Sequence, residues 1–472
     1  MGRRVRMVVP GGLGDGAHGT SVTNLRAGVG LRPGPVPRQP GREGAARAEP
    51  CARSRHNARM RSVQDHLAAV LAAAVPVPPL DVVLHDAAGC ILAADVVAPV
   101  DVPAVPVAAR DGYAVAAHDT TGGPHRQELP VAHDLHAGSA AGLRHVPGTA
   151  VRVASGAPLP LGADAVVPVE ETDRGQARVA FQRPARPGQH VRRAGDDVRA
   201  GGVVLTAGTR LGARQIALAA AMGRGRLPVH PTPRVVLLSV GDELVEPTTA
   251  ARPGTVFEVD GHALETAVRD AGATPVRVGA VPDDHAALRE TLEDQLVRAD
   301  LVVLTGGLSE LAHDTVKDVL APLGTVRLDH VAMTPGARQG FGTVGALGLD
   351  LTDGDGRTVP LFALQGHPVA AQVSFEVFVR PALRAMAGRT ELFRPSVTAV
   401  ATEGWVSPAG LRQFVPASVL GSPDEGYRAT PVGDPSAPSI TALAHANALA
   451  VVGERDLAVH PGDVVHCLVL EG

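Results

Sequence analysis

Between Arg234 and Arg389 the chain alternates unbroken apolar runs with amphipathic stretches, and this alternation limits the fold more than any other feature. Arg234-Val-Val-Leu-Leu-Ser-Val, Leu301-Val-Val-Leu and Val359-Pro-Leu-Phe-Ala-Leu are apolar without the every-second-residue pattern of a half-exposed strand. Pro275–Val281 adds a further strand. Helices are expected at His262–Ala271, over Leu288, Leu292 and Leu296 at i, i+4 and i+8, at Asp314–Leu320, and beyond Pro368. Strands buried on both faces and separated by helices make a parallel sheet with helices on each side. Its ligand crevice lies beyond the carboxyl ends of the strands.

Three loops fall at that edge: Ser239-Val-Gly241-Asp242-Glu243, Thr305-Gly306-Gly307-Leu-Ser309 and Gln365-Gly366-His-Pro. Glycines there let backbone N–H groups approach a phosphate, and Asp242 and Glu243 can hold a hard cation that bridges to it. Glycine after a strand is also ordinary turn chemistry. Neither G-x-G-x-x-G nor G-x-x-x-x-G-K-[ST] occurs at these strand ends, which argues against a nucleotide-hydrolysing P-loop. Lys317 follows in Asp314-x-x-Lys317, and it is the only lysine among 44 basic residues. A compact ammonium is not interchangeable with a planar guanidinium, so on position alone this lysine either holds an anion or is a surface residue of an amphipathic helix.

Composition removes other classes. With 472 residues, 45% hydrophobic and 2% aromatic, the chain can build several Val/Leu/Ala cores but has few rings for stacking single-stranded nucleic acid. A net charge of −4 gives no broad phosphate-binding field, so no nucleic-acid partner is expected. No apolar run reaches membrane-spanning length. Cys51, Cys90 and Cys467 have no zinc spacing, and they fit a reduced, cytoplasmic setting.

Segments outside the α/β unit read differently. Residues 1–59 carry eleven arginines against Asp15, Glu43 and Glu49, lack hydrophobic periodicity, and are expected to be a disordered tail. Met60 precedes Ser62-x-x-Asp65, a variant capping box opening an apolar helix. Residues 60–100 and 186–231 are expected to form an elongated helical and β region, its helix near Ala213–Met222 pairing with the first helix. An inserted β lobe of small antiparallel strands spans 101–185. The α/β domain spans 232–390, and 391–472 form a C-terminal β barrel. Histidines such as His118, His125, His133, His136 and His145 are read as exposed loop residues.

Several long motifs occur in one order: Asp111-Gly-Tyr-Ala-Val, Ser155-Gly-Ala-Pro-Leu-Pro-x-Gly-Ala-Asp164, Arg193-x-Gly-Asp-Asp197-Val, Gly241-Asp-Glu-Leu, Thr305-Gly-Gly-x-Ser309, Pro335-Gly336, Gly366-x-Pro-Val-Ala and Leu443-Ala-x-Ala-Asn447. In these the chain resembles the molybdopterin molybdenumtransferase family, the MoeA type that includes the E domain of gephyrin, over residues 61–472. The resemblance implies a multidomain α/β and β fold with a molybdopterin-binding α/β domain. It implies a homodimer whose active site is shared between the α/β domain of one subunit and the β lobe of the other. The implied reaction inserts molybdate into adenylylated molybdopterin, releases AMP and uses Mg²⁺.

Position by position, the resemblance assigns Asp111, Asp242, Asp314 and Lys317 to catalysis. Gly241, Glu243, Thr305, Gly306, Gly307, Ser309, Ser155, Arg338, Gly366 and Arg412 are assigned to ligand binding. Asp242, Glu243 and Asp197 are assigned to the metal. Departures fall mostly at pocket-facing positions: Arg110 before Asp111, Ser309-Glu-Leu-Ala312 for S-V-G-D, Thr334-Pro-Gly-Ala-Arg338 for K-P-G-K-P, His367 within P-G-N-P, and Glu258-x-Asp260 for D-x-N. Leu311 at a glycine position is expected to strain or reshape its loop. Two readings follow, an insertase or an impaired paralogue that binds or carries a molybdopterin-type ligand, with a structural scaffold as a third.

Overall fold

The computed structural model describes residues 60–121, 127–140, 142–250, 252–308, 314–323, 325–345 and 357–470. The tail 1–59 and the positions of His125, Ser309 and Leu311 lie outside the described residues.

At the centre is a six-stranded sheet in the order Thr274–Val281, Arg234–Val240, Leu301–Thr305, Thr358–Leu364, Arg338–Gly345, Val326–His330. The first four strands run parallel, as their unbroken apolar runs predict. Arg338–Gly345 runs antiparallel to both of its neighbours, Thr358–Leu364 and Val326–His330, so the sheet is mixed.

Helix His285–Leu296 covers one face with Leu288, Leu292 and Leu296, all fully buried. Each contributes about 2 kcal/mol by leaving water. Asp284 caps this helix by accepting from the N–H of Ala287. The other face receives helix Asp260–Ala271 and the continuous helical run Pro368–Met386, whose middle turn, Phe375–Val379, is π-helical.

Ser62 caps the first helix, Val63–Ala73, accepting from the N–H of Asp65 at 3.0 Å. This helix does not pair with Ala213–Ala221. Its Val63 and Val70 join the core of the α/β unit beside Phe378 and Phe341, whereas Ala219 packs with Leu92, Leu211, Leu227 and Val229 in a separate cluster. An apolar stripe shows that a helix must be covered but does not say by which neighbour. The separate cluster lies under a three-stranded sheet of Leu80–Val83, Arg226–His230 and Ile91–Leu92.

The β lobe is a five-stranded sheet in the order Ala165–Pro168, Gly112–Val115, Ala150–Val153, Glu128–Leu135, Arg178–Ala180. It is not wholly antiparallel, because Glu128–Leu135 runs parallel to Ala150–Val153. The long connection between them allows a return that a tight hairpin would forbid. His145 is buried there, with Nε2 2.9 Å from the carbonyl oxygen of Thr149, and His133 sits within a strand. Neither matches the expected exposed loop position, although His118, His133 and His136 are exposed.

The C-terminal strands close into a five-stranded barrel, because Arg412–Ser422 pairs with both Gly426–Pro431 and Ala448–Val452. Val415, Ala417, Ala450 and Cys467 fill its interior.

Candidate active site

Strand Arg234–Val240 has Thr274–Val281, the next strand of this sheet in the chain, on one side and Leu301–Thr305 on the other. That topological switch point is where a parallel sheet opens a crevice. There Thr305 Oγ1 donates to Ser239 Oγ at 3.1 Å, and Ser239 Oγ donates to Glu258 Oε1 at 2.8 Å.

The glycine turns touch. A Cβ on Gly306, whose φ is +88°, would sit 2.3 Å from the carbonyl oxygen of Val240, and one on Gly366 would sit 3.1 Å from the Cα of Gly306. Glycine is required here because backbone packs on backbone. Three cavities ring these turns. The strand-tip cavity, about 100 Å³, is walled by Glu243, Glu258, Asp260, Thr305, Gly306 and Gly366. A second, about 260 Å³, gathers Leu308, Asp314, Lys317, Asp329, Arg338 and Gln339. A wider groove, about 700 Å³, lies between Pro335, Gly336 and His367 on one wall and Pro438, Ser439 and Ile440 of the barrel segment on the other.

Lys317, Asp314 and Arg338 are therefore brought together. Asp314 is buried, and its Oδ1 caps the short helix Thr315–Leu320 by accepting from the N–H of Lys317 at 3.0 Å. Arg338 Nη1 donates to the carbonyl oxygen of Leu308 at 2.8 Å. Lys317 itself is exposed on the rim. Asp242 lies two hydrogen bonds from this helix: its Oδ1 accepts from the N–H of Asp283 at 3.0 Å, and the Asp283 carbonyl accepts from Thr315 Oγ1 at 3.3 Å. Glu243 folds back over Gly241, where a Cβ would meet Glu243 Oε2 at 2.6 Å.

Other predicted residues sit elsewhere in the chain. Asp111 Oδ1 accepts from the N–H of Ser155 at 2.6 Å, so these two form a pair on the β lobe. Asp197 faces Arg192 at 3.7 Å. None of Asp111, Ser155 and Asp197 lines the three cavities of its own chain. Arg412 is beside Met333 in the register but is paired with Glu454 at 3.1 Å. Asp164 is a structural cap, accepting from the N–H of Ala117 at 2.7 Å.

Asp242, Glu243 and Asp197 do not form a trio within one chain. Among the described residues, the one group of three acid or histidine side chains whose ligand atoms lie within 4.8 Å is Glu246, Glu258 and His262. Arg277 occupies that group, 2.8 Å from Glu246 and 3.4 Å from Glu258. Glu258 is further consumed by the N–H of Gly261 at 2.6 Å. Asp260 is 6% exposed with Oδ1 unpartnered, and burial, aided by Glu258, pushes its carboxyl up to about 7. Its type was visible in the sequence; its burial was not. Asp242 and Glu243 are thus the adjacent exposed carboxylates at the rim. Such a pair suits Mg²⁺, which keeps several waters and leans on substrate phosphates.

A glycine-turned switch-point crevice with rim carboxylates and a converging lysine and arginine, joined to a β lobe and a closed barrel, defines a multidomain α/β protein that handles an anionic small molecule. Comparison with known proteins places it further. The sequence profile of the MoeA N-terminal region (domain I and II) matches residues 61–223, that of a probable molybdopterin binding domain matches 236–385, and that of the MoeA C-terminal region (domain IV) matches 398–470. Molybdopterin molybdenumtransferase 2 of Mycobacterium tuberculosis is 40% identical over 411 residues, covering 85% of this chain and 98% of that protein. Molybdopterin molybdenumtransferase 1 of the same organism is 40% identical over 427 residues, covering 86% and 98%. The structure of the molybdopterin biosynthesis moeA protein from Pyrococcus horikoshii matches with a TM-score of 0.73 at 28% identity, covering 88% of this chain and 100% of that one. The chain belongs to the MoeA family of molybdopterin molybdenumtransferases.

Proposed function

We propose that this protein is a transferase of molybdenum cofactor biosynthesis that inserts molybdate into adenylylated molybdopterin and releases AMP. The observation that carries the reading is the meeting of Lys317, Arg338 and Asp314 in one cavity beside the glycine turns. Lys317 offers a point charge to an oxyanion, and Arg338, tied to Leu308, adds a second positive charge to the same cavity. Backbone N–H groups of the turns orient the phosphates. Asp242 and Glu243 would hold Mg²⁺, which supplies charge neutralisation at the pyrophosphate.

In the reaction the two sulfurs of the dithiolene displace oxygen from molybdate, the oxygen leaving as water. Water also cleaves the phosphoanhydride to free AMP. No protein nucleophile is required. Asp111 and Ser155 are exposed on the lobe and line no cavity of their own chain, which supports a homodimer in which the lobe of one subunit completes the site of the other. The setting is cytoplasmic, among proteins of the same pathway. Among the described residues no helix is long and apolar enough to cross a membrane.

A second reading, a paralogue that binds or carries the ligand without turnover, draws support from the wide groove, where His367 is the single ionisable lining residue among the described residues. Purified protein given adenylylated molybdopterin, molybdate and Mg²⁺ separates the two. One AMP released for each molybdenum inserted supports the transferase; tight binding without AMP release supports the carrier.

A further inference from the structure

Of the eight phenylalanines, Phe181, Phe341, Phe362, Phe375, Phe378 and Phe414 are buried, whereas Phe257 is 41% exposed and Phe393 is 55% exposed. Phe257 stands at the mouth of the strand-tip cavity, flanked by Val256, itself 56% exposed, and by Leu244. Phe393 lines none of the three cavities.

The backbone around Phe257 is held firmly. Val256 donates to the Glu243 carbonyl and Glu258 to the Val245 carbonyl, each at 2.8 Å, so the two-residue strand Val256–Phe257 runs parallel to Leu244–Val245. The next residue, Glu258, is fixed by Ser239, Gly261 and Arg277. An exposed aromatic on a fixed backbone loses little freedom when a flat ring settles on it, and stacking tolerates any heterocycle with a π face. An acceptor for a ring amino group is close by, since Asp260 lines the same cavity.

We propose that Phe257 is a binding residue that stacks on the planar fused nitrogen heterocycle of the substrate at the mouth of the strand-tip cavity. The proposal rests on the transferase reading, because an adenylylated pterin carries two such rings, a purine and a pterin. The experiment separates them. Calorimetric titration of the full chain uses AMP, neopterin and, as a ligand without a ring, ribose 5-phosphate.

Phe257→Ala is expected to weaken AMP or neopterin, whichever ring sits there, by about tenfold or more. Phe257→Tyr should restore that affinity, and Phe393→Ala should leave it at the wild-type value. Ribose 5-phosphate should bind wild type and Phe257→Ala alike. Wild-type affinity of Phe257→Ala for both ring ligands overturns the proposal. So does an equal loss for ribose 5-phosphate, failure of the wild type to bind either ring, or a change of oligomeric state in Phe257→Ala, which would mark an interface residue instead. Normal AMP release with an unchanged KM in Phe257→Ala overturns the stacking role while leaving the transferase reading intact. Ring binding that depends on Phe257 in a protein that releases no AMP upholds the stacking role and sinks the transferase reading.

Discussion

Arg338 and Leu308 are joined by a 2.8 Å hydrogen bond from Nη1 to the carbonyl oxygen, which ties the antiparallel strand Arg338–Gly345 to the glycine turn after Leu301–Thr305, two strands away in the sheet. One guanidinium thereby both fastens the turn and lines the cavity that holds Lys317. The family's lysine-rich segment has become Thr334-Pro-Gly-Ala-Arg338 here, so this contact keeps one positive charge at the crevice.

Gly306→Ala should destabilise the protein. Its Cβ would lie 2.3 Å from the Val240 carbonyl oxygen at a φ of +88°, where a side chain is also strained. A loss of about 3 kcal/mol is expected from the two effects together, seen as a lower urea midpoint. Gly426→Ala, also at positive φ but with open space around it, should lose only about 1 kcal/mol.

His66 gives an acid-sensitive stability. It is 1% exposed between Phe378 and Phe341, with neither ring nitrogen hydrogen-bonded, and burial first, then Arg61, lower its pKa to about 4. The unfolded chain binds the proton from its ordinary 6.5, so stability is complete above about pH 6.5 and falls progressively down to about pH 4. The loss from this group is about 3 kcal/mol. In urea titrations at stepped pH, His66→Leu should flatten the slope across that window; an unchanged slope would contradict the assignment.

Asp260 acts in the opposite sense. With its carboxyl raised from 3.8 to about 7, the folded state holds the proton that the unfolded state releases. Its contribution is fully present below about pH 3.8 and is lost as pH rises to about 7. Asp260→Asn should therefore stabilise the protein at pH 8, by at most about 4 kcal/mol, with little gain at pH 4. Thermal unfolding at the two pH values measures the difference.

Much of the α/β unit was legible in the sequence, because a strand would put Glu290 and Asp294 on the same face as Leu288, Leu292 and Leu296 while a helix separates them, and Arg234–Val240 can bury both faces only inside a sheet. The glycine turns after Arg234–Val240, Leu301–Thr305 and Thr358–Leu364 were likewise legible, and the structure packs them together. Partners that lie far apart in sequence were not legible. Nothing local tells Val63–Ala73 to dock beside Phe378, or Glu128–Leu135 to run parallel to its neighbour. The burial of Asp260 and His66 and the exposure of Phe257 are products of packing, which residue type alone does not encode.

Mixed dimers test the shared site. If Asp111 of one subunit serves Lys317 of the other, Asp111→Ala and Lys317→Ala chains, each inactive alone, should regain about a quarter of wild-type AMP release when unfolded together and refolded in equal amounts. A site contained within one chain would give none.

The most direct measurement is single-turnover AMP release from adenylylated molybdopterin with molybdate and Mg²⁺, comparing wild type with Lys317→Ala. Because Lys317 is exposed, the variant should unfold at the wild-type temperature. Release should slow by about a hundredfold or more. A Lys317→Ala protein that releases AMP at the wild-type rate would contradict the placement of this reaction at the cavity that gathers Lys317, Asp314 and Arg338.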